Sequence, residues 1–75
     1  MKTITLNSGN RNIDRTVASQ LATQMVRCGA PFHYYVTTGG YHRFRFTFDS
    51  DFDLATKFMI SRTHSDAWTE GKEEA

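Results

Sequence analysis

The chain contains few of the residue combinations that catalysis or metal binding requires. Its single cysteine, Cys28, falls on the predicted inner face of a helix, where a free cysteine usually acts as a small buried apolar group. The histidines His33, His42 and His64 lack the spacing of metal ligands, and a cysteine pair that would complete a zinc site is absent. We therefore predict a non-enzymatic chain without metal or cofactor; the alternative is an active site completed between copies of the chain.

Asp49, Asp51 and Asp53 have the spacing of the first ligands in a calcium-binding loop. The chain lacks the glycine and the distal glutamate that such a loop needs, so we interpret these residues as the acidic N-terminus of a helix. The Gly39-Gly40 pair is not followed by a lysine and a helix, and it indicates a turn rather than a phosphate-binding loop.

Arginine and aromatic residues around this turn form a more informative pattern. If Phe44, Phe46 and Phe48 point into the core, the residues between them point to the opposite face of the sheet. Both predicted helices lie on the core side, so we expect the opposite face to remain uncovered. Arg and Tyr are frequent in binding hot spots and stack on each other. The predicted partner-binding residues are His33, Tyr35, Tyr41, Arg43 and Arg45.

The elements that position these residues follow from the hydrophobic pattern. Residues 1–7 alternate as a short strand with Ile4 and Leu6 on one side. The segment from Asn12 to Cys28 has helical periodicity, with Asn12 as the N-cap and Gly29 in the left-handed position after the helix. The predicted buried face of this helix comprises Ile13, Val17, Ala18, Leu21, Ala22, Met25 and Cys28.

Two segments rich in aromatic and β-branched residues, 32–37 and 41–48, flank the glycine pair and predict a hairpin. A two-residue loop would pair Tyr34 with Arg45 and bring charge into the core. A three-residue loop avoids this conflict, and a slip of one residue would exchange the two faces. We therefore predict the pairs Phe32 with Phe46, Tyr34 with Phe44 and Val36 with His42, with Gly40 in a left-handed conformation.

A second helix is predicted from Asp51, with Ser50 as its N-cap. Its predicted buried stripe comprises Phe52, Ala55, Phe58 and Met59. The order β-α-β-β-α predicts a small α+β domain, with a three-stranded antiparallel sheet and two helices on one face. This is the split βαβ, or ferredoxin-like, arrangement without a clear fourth strand, unless residues around Trp68 supply a short one. We predict a single domain at 1–62 and a polar, acidic C-terminal tail at 63–75. Trp68 either folds back onto the domain, the more common arrangement for a lone Trp in a polar tail, or anchors a partner.

Composition and charge limit the classes of function. At 75 residues the chain is close to the lower size limit for a stable core. No apolar run has the length of a membrane span and one cysteine fits a reducing compartment, so we predict a cytoplasmic protein without a membrane partner. Residues 1–48 hold six basic residues and one acid, whereas residues 49–75 hold three basic residues and seven acids. This division indicates an acidic helix and tail, or a dipolar molecule that orients on a charged partner.

The segment from His42 to Asp49, with the helix that follows it, is similar to the third strand and second helix of RNA-recognition-motif domains. That family presents two outward aromatic residues on this strand for base stacking, at positions that hold Arg43 and Arg45 here. We therefore transfer no RNA-binding residue from the family. Tyr35 and Tyr41 would still offer rings for stacking beside two arginines that hold phosphates.

Small size, sparse catalytic residues and an uncovered Arg/Tyr face predict a protein-binding module. Small phage and mobile-element proteins that inhibit or regulate a larger macromolecular machine are of this kind. The alternative is a single-stranded nucleic-acid-binding domain that uses the same sheet face. A third interpretation is a homodimer formed through the open sheet face or through an edge of the hairpin.

Overall fold

Two helices and four strands make up residues 1–73, the part of the chain that the computed structural model describes. In chain order they are β1 Lys2–Leu6, α1 Arg11–Arg27, β2 Phe32–Val36, β3 His42–Phe46, α2 Asp49–Arg62 and, after a 3₁₀ turn at Ser65–Ala67, β4 Trp68–Lys72. Neighbouring strands are antiparallel, and the strand order in the sheet is β2-β3-β1-β4. This is the complete split βαβ arrangement, so the predicted α+β class is confirmed.

The sheet has four strands and not the three predicted, because residues 68–72 form the short strand that was left open as an alternative around Trp68. β4 pairs with β1, so that Leu6 lies opposite Trp68 and Lys2 lies opposite Lys72. Trp68 is only 7% exposed and the other residues of β4 are exposed, as expected of an edge strand that contributes one side chain to the core. The sheet therefore extends beyond the boundary predicted at residue 62, and Trp68 folds back onto the domain, the first of its two predicted arrangements.

The hairpin register is confirmed in every predicted pair. Phe32 lies opposite Phe46, Tyr34 opposite Phe44, and Val36 opposite His42. Gly40 has a φ of +85°, the left-handed conformation that glycine adopts most readily, and its N–H donates to the carbonyl oxygen of Thr37. The apolar pairing thus selected the three-residue loop.

The core lies between one face of the sheet and both helices. Its members are Ile4, Leu6, Ala18, Leu21, Met25, Ala30, Phe44, Phe46, Phe52, Ala55, Met59 and Trp68. β1 and β3 contribute alternate residues to this core, as the two-residue period of a strand requires, whereas β4 contributes Trp68 alone and Phe32 of β2 packs partly against it. The opposite face of the sheet points away from the helices.

The bounds of α1 differ from the prediction at both ends. Asn10 is the N-cap, since its side chain accepts hydrogen bonds from the backbone N–H groups of Asn12 and Ile13. Ile13 is 50% exposed, and Cys28 is exposed because the helix ends at Arg27. Gly29 has the predicted left-handed conformation, with a φ of +67°.

α2 begins two residues earlier than predicted. Its N-cap is Phe48, without a side-chain capping bond, so the predicted cap at Ser50 is wrong. Phe48 is exposed rather than buried, because β3 ends at Phe46 and Phe48 lies in the connection to the helix. The predicted buried stripe is confirmed: Phe52, Ala55 and Met59 are buried, and Phe58 packs partly against them.

Candidate functional site

The outer face is the side of the sheet opposite the core, and alternate residues of the strands define it. It comprises Thr3 and Thr5 from β1, His33 and Tyr35 from β2, Arg43 and Arg45 from β3, and Thr69 and Gly71 from β4. The sheet register brings these side chains together, because Thr5 and Tyr35 are the direct partners of Arg43 on either side. Four of the five predicted partner-binding residues therefore lie on one surface.

The expectation that no residue covers this face is wrong, because the side chain of Glu73 lies on it. Glu73 Oε1 lies 3.0 Å from Arg43 Nη1, and Glu73 Oε2 lies 3.6 Å from Arg45 Nη1. The hydroxyl of Tyr35 donates a hydrogen bond to Glu73 Oε1. We name these four residues, Tyr35, Arg43, Arg45 and Glu73, the Glu73 cluster.

Arg43 is the most firmly held member of the Glu73 cluster. Its Nε donates to Thr5 Oγ1 at 2.9 Å, and its guanidinium carbon lies 5.9 Å from the centre of the Tyr35 ring. Nη1 of the same group lies 3.5 Å from the Tyr35 hydroxyl oxygen. Contacts on two neighbouring strands thus fix the direction in which the guanidinium points, and this reduces the entropy lost when a ligand binds.

The contacts of the Glu73 cluster shift two pKa values in the directions that favour the ion pair. The hydrogen bond from Tyr35, followed by that from Arg43, lowers the pKa of Glu73 below its usual value. The hydrogen bond with Tyr35, together with the contact with Glu73, raises the pKa of Arg43. Both side chains are therefore charged at neutral pH.

His33 and Tyr41, the other two predicted site residues, lie outside the Glu73 cluster. His33 is on the outer face beside Tyr35, with ring centres 5.6 Å apart, and is the cross-strand partner of Arg45. Tyr41 lies between the three-residue loop and β3, where it is 49% exposed and its carbonyl oxygen accepts a hydrogen bond from the backbone N–H of Thr37. The structure therefore joins Tyr35, Arg43 and Arg45, with His33 at the margin and Tyr41 apart from them.

Glu73 is the residue of the candidate site that sequence reasoning missed. The signal was the alternation that starts at Trp68: if Trp68 points inward, residues 69, 71 and 73 point to the outer face. One large apolar residue in an otherwise polar, acidic segment is also the pattern of a solvated tail, so the sequence alone does not identify Glu73 as a counterion for the arginines.

Among residues 1–73, no group of three or more His, Cys, Asp and Glu side chains could hold a metal ion. Neither helix of this segment combines the length and the hydrophobicity that a bilayer-crossing helix needs.

The Glu73 cluster holds one carboxylate of the chain itself between two arginines and a tyrosine. Donors from two strands converge on one carboxylate, and the planar guanidinium group is well suited to that geometry. Two arginines face a single carboxylate, so one positive charge on this surface is not neutralised within the cluster. No family model, no curated protein and no solved structure gives a significant match to the chain. The chemistry of the outer face is therefore the basis for assigning a function.

Proposed function

We propose that this chain is a non-enzymatic protein-binding module and that the outer face is its binding surface. The observation that carries the proposal is the convergence of Tyr35, Arg43 and Arg45 on one carboxylate, on the sheet face that points away from both helices. Tyr and Arg supply much of the binding energy in protein interfaces when they are held in a fixed geometry.

In this proposal the module acts by occupying a site on a larger macromolecule, as a regulator or inhibitor. Its small size suits that role, since a chain of 75 residues has little room to enclose a substrate but offers a flat sheet as a contact surface. The exposed, unpaired Cys28 fits a reducing compartment, and we place the interaction in the cytoplasm.

The test is affinity capture from a cell lysate divided into nuclease-treated and untreated halves. The test variant is Arg43→Gln/Arg45→Gln, because replacement by Glu would add repulsion against Glu73 and disturb the fold. The matched control is Lys57→Gln/Arg62→Gln, which removes the same charge from exposed residues of α2. Circular dichroism and the melting temperature establish that each variant is folded.

We expect protein bands that survive nuclease treatment, persist with the α2 control and disappear with Arg43→Gln/Arg45→Gln. Bands that persist with the arginine variant would remove the outer face as the binding surface. Capture that is lost on nuclease treatment would mean that the same residues bind a nucleic acid and not a protein. Sedimentation of the free chain at high concentration tests the homodimer interpretation, which predicts a mass above that of one chain.

A further inference from the structure

We infer that the outer face binds an acidic segment of a partner protein, whose carboxylates take the place of Glu73 against Arg43 and Arg45. This inference rests on the proposed function and specifies the chemistry of the partner. Glu73 then has two roles: it holds the arginines in position in the free protein, and it competes with the partner for them.

The geometry of the cluster supports a carboxylate ligand. Arg43 Nη1 and the Tyr35 hydroxyl contact Oε1 of the Glu73 carboxylate, and Arg45 Nη1 lies 3.6 Å from its Oε2. The Nε of Arg43 donates a hydrogen bond to Thr5 Oγ1, and this contact leaves the terminal nitrogens of the guanidinium free to contact the carboxylate. A carboxylate from another chain would meet donors that are already oriented.

The position of Glu73 allows the exchange. It follows Lys72, the last residue of β4, so rotation of its side chain leaves the pairing of Lys2 with Lys72 intact. Its own backbone N–H donates to the carbonyl oxygen of Met1, and this bond does not involve the carboxylate. The side chain can therefore leave the arginines while the sheet stays paired.

An internal competitor makes the site selective for segments with more than one acid. A partner with a single carboxylate exchanges one ion pair for another and gains little. A second carboxylate would also neutralise the positive charge that Glu73 leaves over, because two arginines face the single charge of Glu73. The high effective concentration of Glu73 thus suppresses weak, singly charged ligands.

The same contacts favour an acidic peptide over single-stranded nucleic acid. Base stacking needs free aromatic faces, and the Tyr35 ring already lies against the guanidinium of Arg43. The remaining ring on the outer face, that of His33, lies beside Tyr35 at the margin. Two strand residues that would carry aromatic side chains in a base-stacking sheet are Arg43 and Arg45 here.

The test measures fluorescence anisotropy at low ionic strength with a short labelled peptide of alternating Glu and Gly. A peptide with Gln in place of Glu and a labelled oligo-dT strand are the comparison probes. The variants are Glu73→Gln, Arg43→Gln/Arg45→Gln and the control Glu70→Gln. Glu70 pairs with Ile4, on the core side of β4, so this control removes the same charge from the other face of the sheet.

We expect Glu73→Gln to bind the acidic peptide roughly two- to fivefold more tightly than the wild type, the range that corresponds to an accessible ion pair. Glu70→Gln should bind as the wild type does, and the arginine variant should lose binding. The Gln peptide should not bind. As a second readout, titrating the wild type with the acidic peptide should shift the NMR signals of Arg43 Nε–H and the Tyr35 ring.

Equal affinities for Glu73→Gln and Glu70→Gln, with unchanged Tyr35 and Arg43 signals in the wild type, would overturn the inference. The proposed function would still stand if protein capture depended on the arginines. Stronger, arginine-dependent binding of oligo-dT than of the acidic peptide would overturn both.

Discussion

At the scale of single residues, Glu73 sets the electrostatics of the outer face. Arg43 and Arg45 are two residues apart on the same face of β3, so without Glu73 their positive charges would repel each other. With it, Arg43 and Arg45 share a carboxylate, and the Tyr35 hydroxyl completes the contacts. Glu73 therefore neutralises one of the two positive charges that Arg43 and Arg45 place on the outer face.

The lowered pKa of Glu73 predicts a pH-dependent contribution to stability. A carboxyl group with a lowered pKa in the folded state stabilises the fold above its usual value of 4.5, and this contribution is lost as the pH falls below it through the folded-state pKa. We expect the wild type to be more stable than Glu73→Gln at pH 7, and the difference to vanish in acid.

Urea unfolding across a pH series checks this prediction, with Glu70→Gln as the matched control. A difference between wild type and Glu73→Gln that stays constant with pH would contradict it. So would the same pH-dependent difference in the control, because the effect would then not arise from the Glu73 cluster.

At the scale of elements, β4 shows how an edge strand can be tied to the sheet by few side chains. Trp68 reaches the core, while Gly71 lies opposite Thr3 on the outer face. A Cβ at Gly71 would lie 2.8 Å from Thr3 Oγ1, and Thr3 is almost completely buried. Glycine at this position is therefore required by the close approach of the two strands, not by its backbone angles.

We predict that Gly71→Ala lowers the free energy of unfolding by about 1–3 kcal/mol, as overpacking of a closely packed site does. Adding Thr3→Ala removes the hydroxyl that the new methyl group would meet and should restore part of the loss. Urea unfolding of both single variants and the double variant measures the coupling.

The control for this pair is Thr69→Ala, at an exposed position of the same strand and face, which should change stability by at most about 0.5 kcal/mol. Additive effects of Gly71→Ala and Thr3→Ala would show that the contact between them is not the cause of the loss.

The hairpin and β4 show what the sequence could and could not predict at this scale. The register of β2 against β3 was predictable because a slip would put Arg45 in the core in place of an apolar partner. β4 has a single buried apolar residue, so its hydrophobic pattern is the same as that of a polar tail. The evidence for the strand is that one edge of β1 would otherwise have no pairing partner. The outward direction of Arg43 and Arg45 could be predicted from the hairpin register. Their counterion, Glu73, could not be predicted without β4, because it lies directly after that strand.

At the scale of the whole molecule, the stability of so small a core depends on each large side chain. The free energy of unfolding of a small domain is about 0.05–0.15 kcal/mol per residue. Replacing a buried Trp by Ala costs about 3–5 kcal/mol. Trp68 is 7% exposed and belongs to the same core as the helices, so its loss affects the entire fold.

We therefore predict that Trp68→Ala removes a large part of the free energy of unfolding and lowers the melting temperature sharply. Circular dichroism is the appropriate measurement, because Trp68 is the only tryptophan and its fluorescence is lost with it. Tyr41→Ala, at an exposed loop position, is the control and should have little effect. An unchanged melting temperature for Trp68→Ala would mean that β4 is not needed for the fold.

The position of β1 in the middle of the sheet also bears on how the chain folds. Ile4 pairs with Phe44 on one side and with Glu70 on the other, so both neighbours of this strand lie far along the chain. Pairing between distant segments requires the closure of long loops, and high contact order of this kind slows folding. During synthesis β1 leaves the ribosome before β3 and β4, so its backbone hydrogen bonds on both sides form only after those later strands have been made. The Glu73 cluster, which needs β2, β3 and the end of β4, can form only at the completion of that process.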